Sequence, residues 1–130
     1  FSLDIQTGNL NWKQEINSNL RPVIINDFIF TISLEGYLII IEKNTGNIIR
    51  SNYLLNKFKA KNRLKIKPTG FIVGNKNIYL SSNIGRLLVI DIATGETKTI
   101  LKIDNKKISR PAIFNKNLYL ITDNSIIKLN

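Results

Sequence analysis

The chain has 130 residues, 43% of them hydrophobic, which is enough for one ordinary folded domain with a core. It contains no Cys and no His, and this excludes disulfides, thiol nucleophiles, imidazole bases and zinc sites of the usual kind. The formal net charge of +10 suits a polyanionic partner, but Ile, Lys and Asn all have A/T-rich codons and are abundant, so we favour a compositional origin of the charge.

The first predicted elements are a tight turn and an outer strand. The segment SLDIQTGNLNW (2–12) places Asp4 three residues before Thr7-Gly8, a pair that suits a turn between two strands, and ends at Trp12. Residues 9–16 read as a strand without preceding partners in its own unit. Residues 1–20 are therefore assigned to the outer strand of a first, incomplete unit.

Three further units follow with one shared order of strands and turns. Each begins with a basic residue and a proline, at Arg21-Pro22, Lys67-Pro68 and Arg110-Pro111, where the missing proline N–H is harmless at a strand entry. A short apolar strand, an Asn-containing turn, a strand with an aromatic residue, a second turn and another apolar strand come next. We assign the units to residues 21–58, 67–104 and 110–130, the last with three strands. Little or no helix is expected.

The Thr-Gly turn recurs in IIEKNTGNIIR (40–50) and VIDIATGETKT (89–99). Its acids are Asp4, Glu42 and Asp91, which lie 38 and 49 residues apart. A four-stranded unit at this period is typical of a β-propeller blade. We therefore predict an all-β chain, a propeller sector of about three four-stranded blades; a β-sandwich is the alternative, but it does not require this self-similarity.

The two ends of the chain are expected to be complementary. The alignment places Asn130 at the acid position, so the last unit lacks a fourth strand, whereas the head supplies one without its unit. Since propellers usually have about four to eight blades, we expect either a sector of a longer chain or self-association of two copies to close the ring.

The first repeat resembles a known family. Asp4, Thr7, Gly8 and Trp12 follow the pattern A-x-D-x-x-T-G-x-x-x-W of the pyrroloquinoline-quinone (PQQ) type propeller repeat, with Ser2 in place of Ala. Arg50 and Thr99 stand in the Trp position of the later repeats. The resemblance implies that the motif residues are structural and that the Trp docks against the neighbouring blade. These residues are Asp4, Thr7, Gly8, Trp12, Glu42, Thr45, Gly46, Asp91, Thr94 and Gly95.

The family divides into quinoprotein dehydrogenases and non-catalytic BamB-type lipoproteins of outer-membrane protein assembly. The chain looks closer to the second group, because only nine acids are present and those outside the repeat turns do not cluster like metal ligands. We predict no catalytic, cofactor-binding or metal-binding residue. The resemblance implies a scaffold for protein partners such as outer-membrane assembly components. The alternative is a sector of a PQQ-dependent quinoprotein dehydrogenase.

The same resemblance implies a bacterial periplasmic or outer-membrane-associated location. The longest apolar run, Tyr37–Ile41, is too short to cross a bilayer. The chain lacks Met and begins within a repeat, so we expect any N-terminal signal to lie outside this segment.

Residues 57–67 are the strongest local anomaly, because six cations alternate with apolar or small residues. Alternation in an extended strand would place the cations on one face, where they would attract phosphate, anionic lipid or an acidic protein. The competing interpretation is a solvated edge strand that Lys protects from aggregation. Nucleic acid is the least favoured partner. The candidate residues are Lys57, Lys59, Lys61, Arg63, Lys65 and Lys67.

Overall fold

The computed structural model describes residues 1–129 and contains four antiparallel sheets in this part of the chain. The first is a hairpin of β1 (Ser2–Leu3) and β2 (Leu10–Trp12). Sheet 1 contains β3 (Val23–Ile25), β4 (Phe28–Ile32), β5 (Tyr37–Glu42) and β6 (Ile48–Tyr53). Sheet 2 contains β7 (Pro68–Val73), β8 (Asn77–Ser82), β9 (Arg86–Asp91) and β10 (Thr97–Lys102). Sheet 3 contains β11 (Ala112–Phe114), β12 (Asn117–Ile121) and β13 (Ile126–Leu129).

Within each sheet, strands that follow one another in sequence are neighbours in space. This up-and-down order repeats from sheet to sheet, so the all-β propeller architecture is confirmed. Sheet 3 has three strands within residues 1–129. Residue 130, which the sequence alignment places at the acid position of the repeat, lies outside the described residues.

The hairpins inside the sheets use the residue types that such turns require. Asn26, between β3 and β4, has φ 53°, and Asn115 and Lys116, between β11 and β12, have φ 49° and 65°. Asn tolerates this left-handed region better than other side chains do. The glycines of the three Thr-Gly turns also have positive φ, between 74° and 76°. The turns therefore fix where each strand reverses, and with it the pairing register.

The hydrophobic core lies between successive sheets. A cluster between sheets 1 and 2 includes Ile32, Leu38, Phe71, Leu88 and Ile90, all buried. A second cluster joins Leu87 of sheet 2 to Leu118 and Leu120 of sheet 3, with Ile108 from the connecting segment. Burial on both sides of sheet 2 follows from its apolar residues, which occupy both faces of the central strands β8 and β9.

The connection between sheets 1 and 2 corrects one expectation. Residues 57–67 do not form the extended strand that their alternation predicted. They contain a single-turn helix, α1 (Ala60–Arg63), which has no side-chain N-cap. Ala, Lys and Arg are good helix formers, and the cations that would have lined one strand face are instead distributed around a loop.

Candidate interaction surfaces

The acids of the three Thr-Gly turns accept hydrogen bonds inside their own turns. In each turn the carboxylate accepts from the backbone N–H groups two and three residues further along. The distances are 2.9 Å and 2.9 Å at Asp4, 3.1 Å and 2.7 Å at Glu42, and 2.7 Å and 3.2 Å at Asp91. These bonds order the backbone that precedes each Thr-Gly pair.

The same hydrogen bonds change the acidity of the three groups. The backbone N–H of the Thr three residues later is the main cause that lowers the pKa of Asp4 and of Asp91. For Glu42, the hydrogen bond from the side chain of its Thr is the main cause that lowers the pKa. Hydrogen bonding favours the charged form in each case. The three carboxylates are thus held in the ionised state as parts of turns.

Trp12 joins the first hairpin to sheet 1. Its Nε1–H donates to the carbonyl oxygen of Lys43 at 2.8 Å, and a methyl group added to Gly46 would come within 2.5 Å of Trp12 Cδ2. The indole therefore lies directly on the Thr-Gly turn of the next sheet. Gln14 adds a second link, since its Nε2 donates to the Gly46 carbonyl at 2.7 Å.

Arg50 makes the equivalent contact between sheets 1 and 2. It follows Gly46 by four residues, as Trp12 follows Gly8. Its Nη1 donates to the carbonyl of Ile92 at 2.8 Å and its Nη2 to that of Ala93 at 3.0 Å. Ile92 follows Asp91 as Lys43 follows Glu42, so both side chains use the corresponding carbonyl. We call each of these links a docking contact.

In the sequence alone, Arg50 is only a departure from the repeat motif. The available signal was its position: an arginine has donors that can reach the same carbonyl as an indole N–H. For Thr99, the third residue at this position, the turn in question would begin at residue 130, outside the described residues.

The cations of residues 57–67 separate into different roles. Arg63 is engaged within its loop, because its Nε donates to the carbonyl of Phe58 at 3.1 Å and its Nη2 to that of Asn56 at 3.0 Å. Its guanidinium carbon also lies 5.8 Å from the ring centre of Tyr53. The five lysines are exposed, and Lys67 lines a groove between connecting segments. The lysines concerned are Lys57, Lys59, Lys61, Lys65 and Lys67.

One face of sheet 3 is apolar and exposed. Leu38 in sheet 1 and Leu87 in sheet 2 are fully buried, whereas Ile126, at the corresponding position of sheet 3, is 76% exposed. Its cross-strand partner Ile121 is 57% exposed, although the corresponding residue of sheet 1, Ile32, is fully buried. We call this face, which in sheets 1 and 2 meets the next sheet, the outgoing face.

Comparison with known proteins identifies the first repeat. Residues 1–52 match the family model described as outer membrane protein assembly factor BamB. The PQQ-type, BamB-like repeat is confirmed. The match covers the complete motif with Asp4 and Trp12, and the second Thr-Gly turn that Trp12 contacts. No curated protein matches the chain in sequence.

Solved structures carry the same fold over more of the chain. BamB from Moraxella catarrhalis is 15% identical, with a TM-score of 0.72 over 97% of this chain and 36% of its own. The Swd1 β-propeller domain of Myceliophteria thermophila is 17% identical, with a TM-score of 0.64 over 78% of this chain and 34% of its own. Quinohemoprotein alcohol dehydrogenase ADHIIG from Pseudomonas putida is 16% identical, with a TM-score of 0.61 over 84% of this chain and 17% of its own.

These structures share the propeller fold with the BamB-like repeat, and the chain spans about a third of the first two and less of the third. Among residues 1–129, no helix is long and apolar enough to cross a membrane. The same residues contain no group of three Asp or Glu side chains placed to hold a metal ion.

Proposed function

We propose that the chain is part of a non-catalytic β-propeller that binds protein partners during outer-membrane protein assembly, in the periplasm or at the outer membrane. The similarity to BamB, over residues 1–52 in sequence and 97% of the chain in structure, carries the proposal. The ten motif residues are assigned structural roles. In support of this assignment, the turn acids accept backbone hydrogen bonds and Trp12 lies on the turn at Gly46.

Crosslinking in a cell envelope tests the proposal. The tagged chain is exported to the periplasm of a Gram-negative host, crosslinked and purified, and its partners are identified by mass spectrometry. We expect outer-membrane assembly components to be enriched. The matched control is the double variant Trp12→Ala and Arg50→Ala, which removes both docking contacts. Failure to recover assembly components with the unmodified chain contradicts the proposal, whereas equal recovery with the control shows that partner binding does not need the docking contacts.

The structural similarity to the quinohemoprotein dehydrogenase keeps one alternative function open to test. A PQQ-binding sector would be stabilised by its ligand, by about 2.7 kcal/mol at a hundredfold excess over Kd. We expect the melting temperature to be the same with PQQ and Ca²⁺ as with Ca²⁺ alone. A rise of several degrees that requires PQQ would support the dehydrogenase assignment and contradict the scaffold.

A further inference from the structure

A groove of about 520 Å³ lies where the segments connecting the sheets come together. Lys67 enters it from the connection that precedes β7, and Lys107 from the connection between β10 and β11. The remaining wall comes from the connection between β2 and β3, from the first residues of β7 and from turns inside sheets 1 and 2. We call it the connector groove, and its lining residues are Asn19, Leu20, Leu34, Lys67, Pro68, Thr69, Asn83 and Lys107.

The backbone at Lys67 is held in place by Asn83. The Lys67 N–H donates to Asn83 Oδ1 at 2.7 Å, and the Asn83 N–H donates to the Lys67 carbonyl at 3.0 Å. Asn83 Nδ2 also donates to the carbonyl of Lys65 at 3.0 Å. On either side of Lys67, Ile66 and Pro68 are buried. The lysine therefore extends from a fixed segment, which reduces the entropy lost when its ammonium group binds a ligand.

The backbone at Lys107 is anchored by the residue that follows it. Ile108 is fully buried, and its N–H donates to the carbonyl of Ser82 at 3.2 Å. Its own carbonyl accepts from Thr69 Oγ1 at 2.8 Å. The backbone at Lys107 is thus held as well, so two cationic side chains extend into one groove from anchored backbone.

The lining combines positive charge with apolar surface. No carboxylate contributes to it in the part of the chain that the structure describes. Lys67 also interacts with Glu35, whose pKa is lowered chiefly by a hydrogen bond from Asn17 Nδ2 at 2.7 Å and least by the charge of Lys67. Asn19, Thr69 and Asn83 add polar groups, and Leu20, Leu34 and Pro68 add apolar ones.

We propose that the connector groove binds an acidic segment of a partner protein in which carboxylates stand next to an apolar side chain. The carboxylates would pair with Lys67 and Lys107, and the apolar group would cover Leu20 and Leu34. A protein segment fits better than a bare phosphate because a phosphate would leave the apolar wall uncovered. This inference rests on the proposed function, for which it supplies a surface and a partner chemistry.

A peptide titration tests the groove directly. The probe is a fluorescein-labelled peptide of alternating Glu and Leu, and a Lys and Leu peptide serves as its charge-reversed counterpart. The loss of one lysine–carboxylate pair at an exposed site weakens binding up to about fivefold, so losing both pairs and reversing both charges in Lys67→Glu with Lys107→Glu should weaken binding of the acidic peptide at least tenfold. The charge-matched control is Lys57→Glu with Lys61→Glu, two exposed lysines outside the groove, which should change affinity less than threefold.

Equal weakening by both double variants, or no binding of the acidic peptide, overturns the proposal. The proposal is also overturned if the chain binds vesicles containing anionic lipid, the acidic peptide does not compete with this binding, and Lys67→Glu with Lys107→Glu abolishes it. Circular dichroism melting of both variants checks that each remains folded, and Lys67→Gln with Lys107→Gln repeats the test without reversing charge.

The envelope experiment separates this inference from the function it rests on. If the unmodified chain recovers assembly components and the Lys67→Glu, Lys107→Glu variant recovers them equally, the groove proposal fails and the scaffold stands. If the unmodified chain recovers none, the proposed function fails, while the peptide titration still decides whether the groove binds acidic segments.

Discussion

Trp12 and Arg50 show that one position of the repeat can use different chemistry for the same contact. The indole covers the turn at Gly46 and donates once, whereas the guanidinium donates to two carbonyls of the turn at Gly95. Both use a donor of the side chain to satisfy the carbonyl that follows the turn acid. In both of these contacts the position holds a long side chain with an N–H donor, and an aromatic ring is not required.

Replacing Arg50 tests this requirement. Arg50→Ala should lower the free energy of unfolding by about 1–2 kcal/mol, since two hydrogen bonds from a charged but partly solvated group are lost. Arg50→Trp should restore most of the loss, because the indole N–H can reach the Ile92 carbonyl. Chemical denaturation measures both. Lys102→Ala removes an exposed cation from the next outer strand and should change stability by less than about 0.5 kcal/mol. A loss of stability in Arg50→Trp as large as in Arg50→Ala would count against the shared role.

A pair of glycine variants tests the docking contact from the turn side. Gly8 and Gly46 have φ 74° and 76°. A methyl group added at residue 46 would meet Trp12, whereas one added at residue 8 would have no neighbouring atom within 4 Å. Gly8→Ala should therefore cost about 1 kcal/mol for its backbone conformation alone. Gly46→Ala should cost a further 1–3 kcal/mol because the indole must move. Equal losses in thermal or chemical denaturation would show that Trp12 does not press on the turn.

At the scale of elements, the turns were the most predictable part of the chain. Acid, Thr and Gly at fixed spacing indicate a local hydrogen-bond pattern, and Asp4, Glu42 and Asp91 each accept backbone hydrogen bonds within such a turn. The local conformation of α1 was not predictable from alternation. Its segment is held by contacts from Arg63 to carbonyls of its own loop and by the buried Ile66, which depend on the packed sheets.

The turn acids make stability depend on pH in a defined direction. Their pKa values are lowered in the folded chain, so the unfolded chain takes up protons first as the pH falls. The stabilisation is complete above the ordinary carboxylate pKa values of about 3.9 to 4.3 in the unfolded chain, and it is lost as the pH falls through the lowered pKa values of the folded chain. Urea denaturation between pH 7 and pH 2.5 measures this loss.

The variant Asp4→Asn, Glu42→Gln, Asp91→Asn should be less stable than the unmodified chain at pH 7 and should approach it at pH 2.5. Glu96→Gln removes an exposed carboxylate beside one turn and should keep the acid-dependent loss. A triple variant whose stability falls as steeply with acid as that of the unmodified chain would contradict the assignment.

At the scale of the molecule, the sequence period predicted the repetition of sheets but not which connecting residues meet. Lys67 and Lys107 are 40 residues apart and belong to different connections, so their common groove depends on how these connections pack against sheets 1 and 2. The exposure of the outgoing face also depends on the packing of neighbouring sheets. One apolar position of this face is buried at Leu38 in sheet 1 and at Leu87 in sheet 2 but is exposed at Ile126 in sheet 3.

The exposed outgoing face predicts concentration-dependent self-association of the 130-residue chain. Ile121→Lys with Ile126→Lys should shift the species toward the monomer in sedimentation equilibrium. Leu64→Lys adds a cation at another exposed apolar residue, 86% accessible, and should leave association unchanged. A chain that stays monomeric at all concentrations, or an equal effect of Leu64→Lys, would contradict this role of the face.

The docking contacts also contribute to the cooperativity with which the chain unfolds. Because Trp12 and Arg50 each connect one sheet only to the next, thermodynamic coupling runs between nearest neighbours, as in other repeat proteins. Weakening one contact should divide a single cooperative unfolding event into two, with the sheets on either side protected from hydrogen exchange to different degrees. Two side chains, one aromatic and one charged, would then contribute to the cooperativity between the first hairpin, sheet 1 and sheet 2.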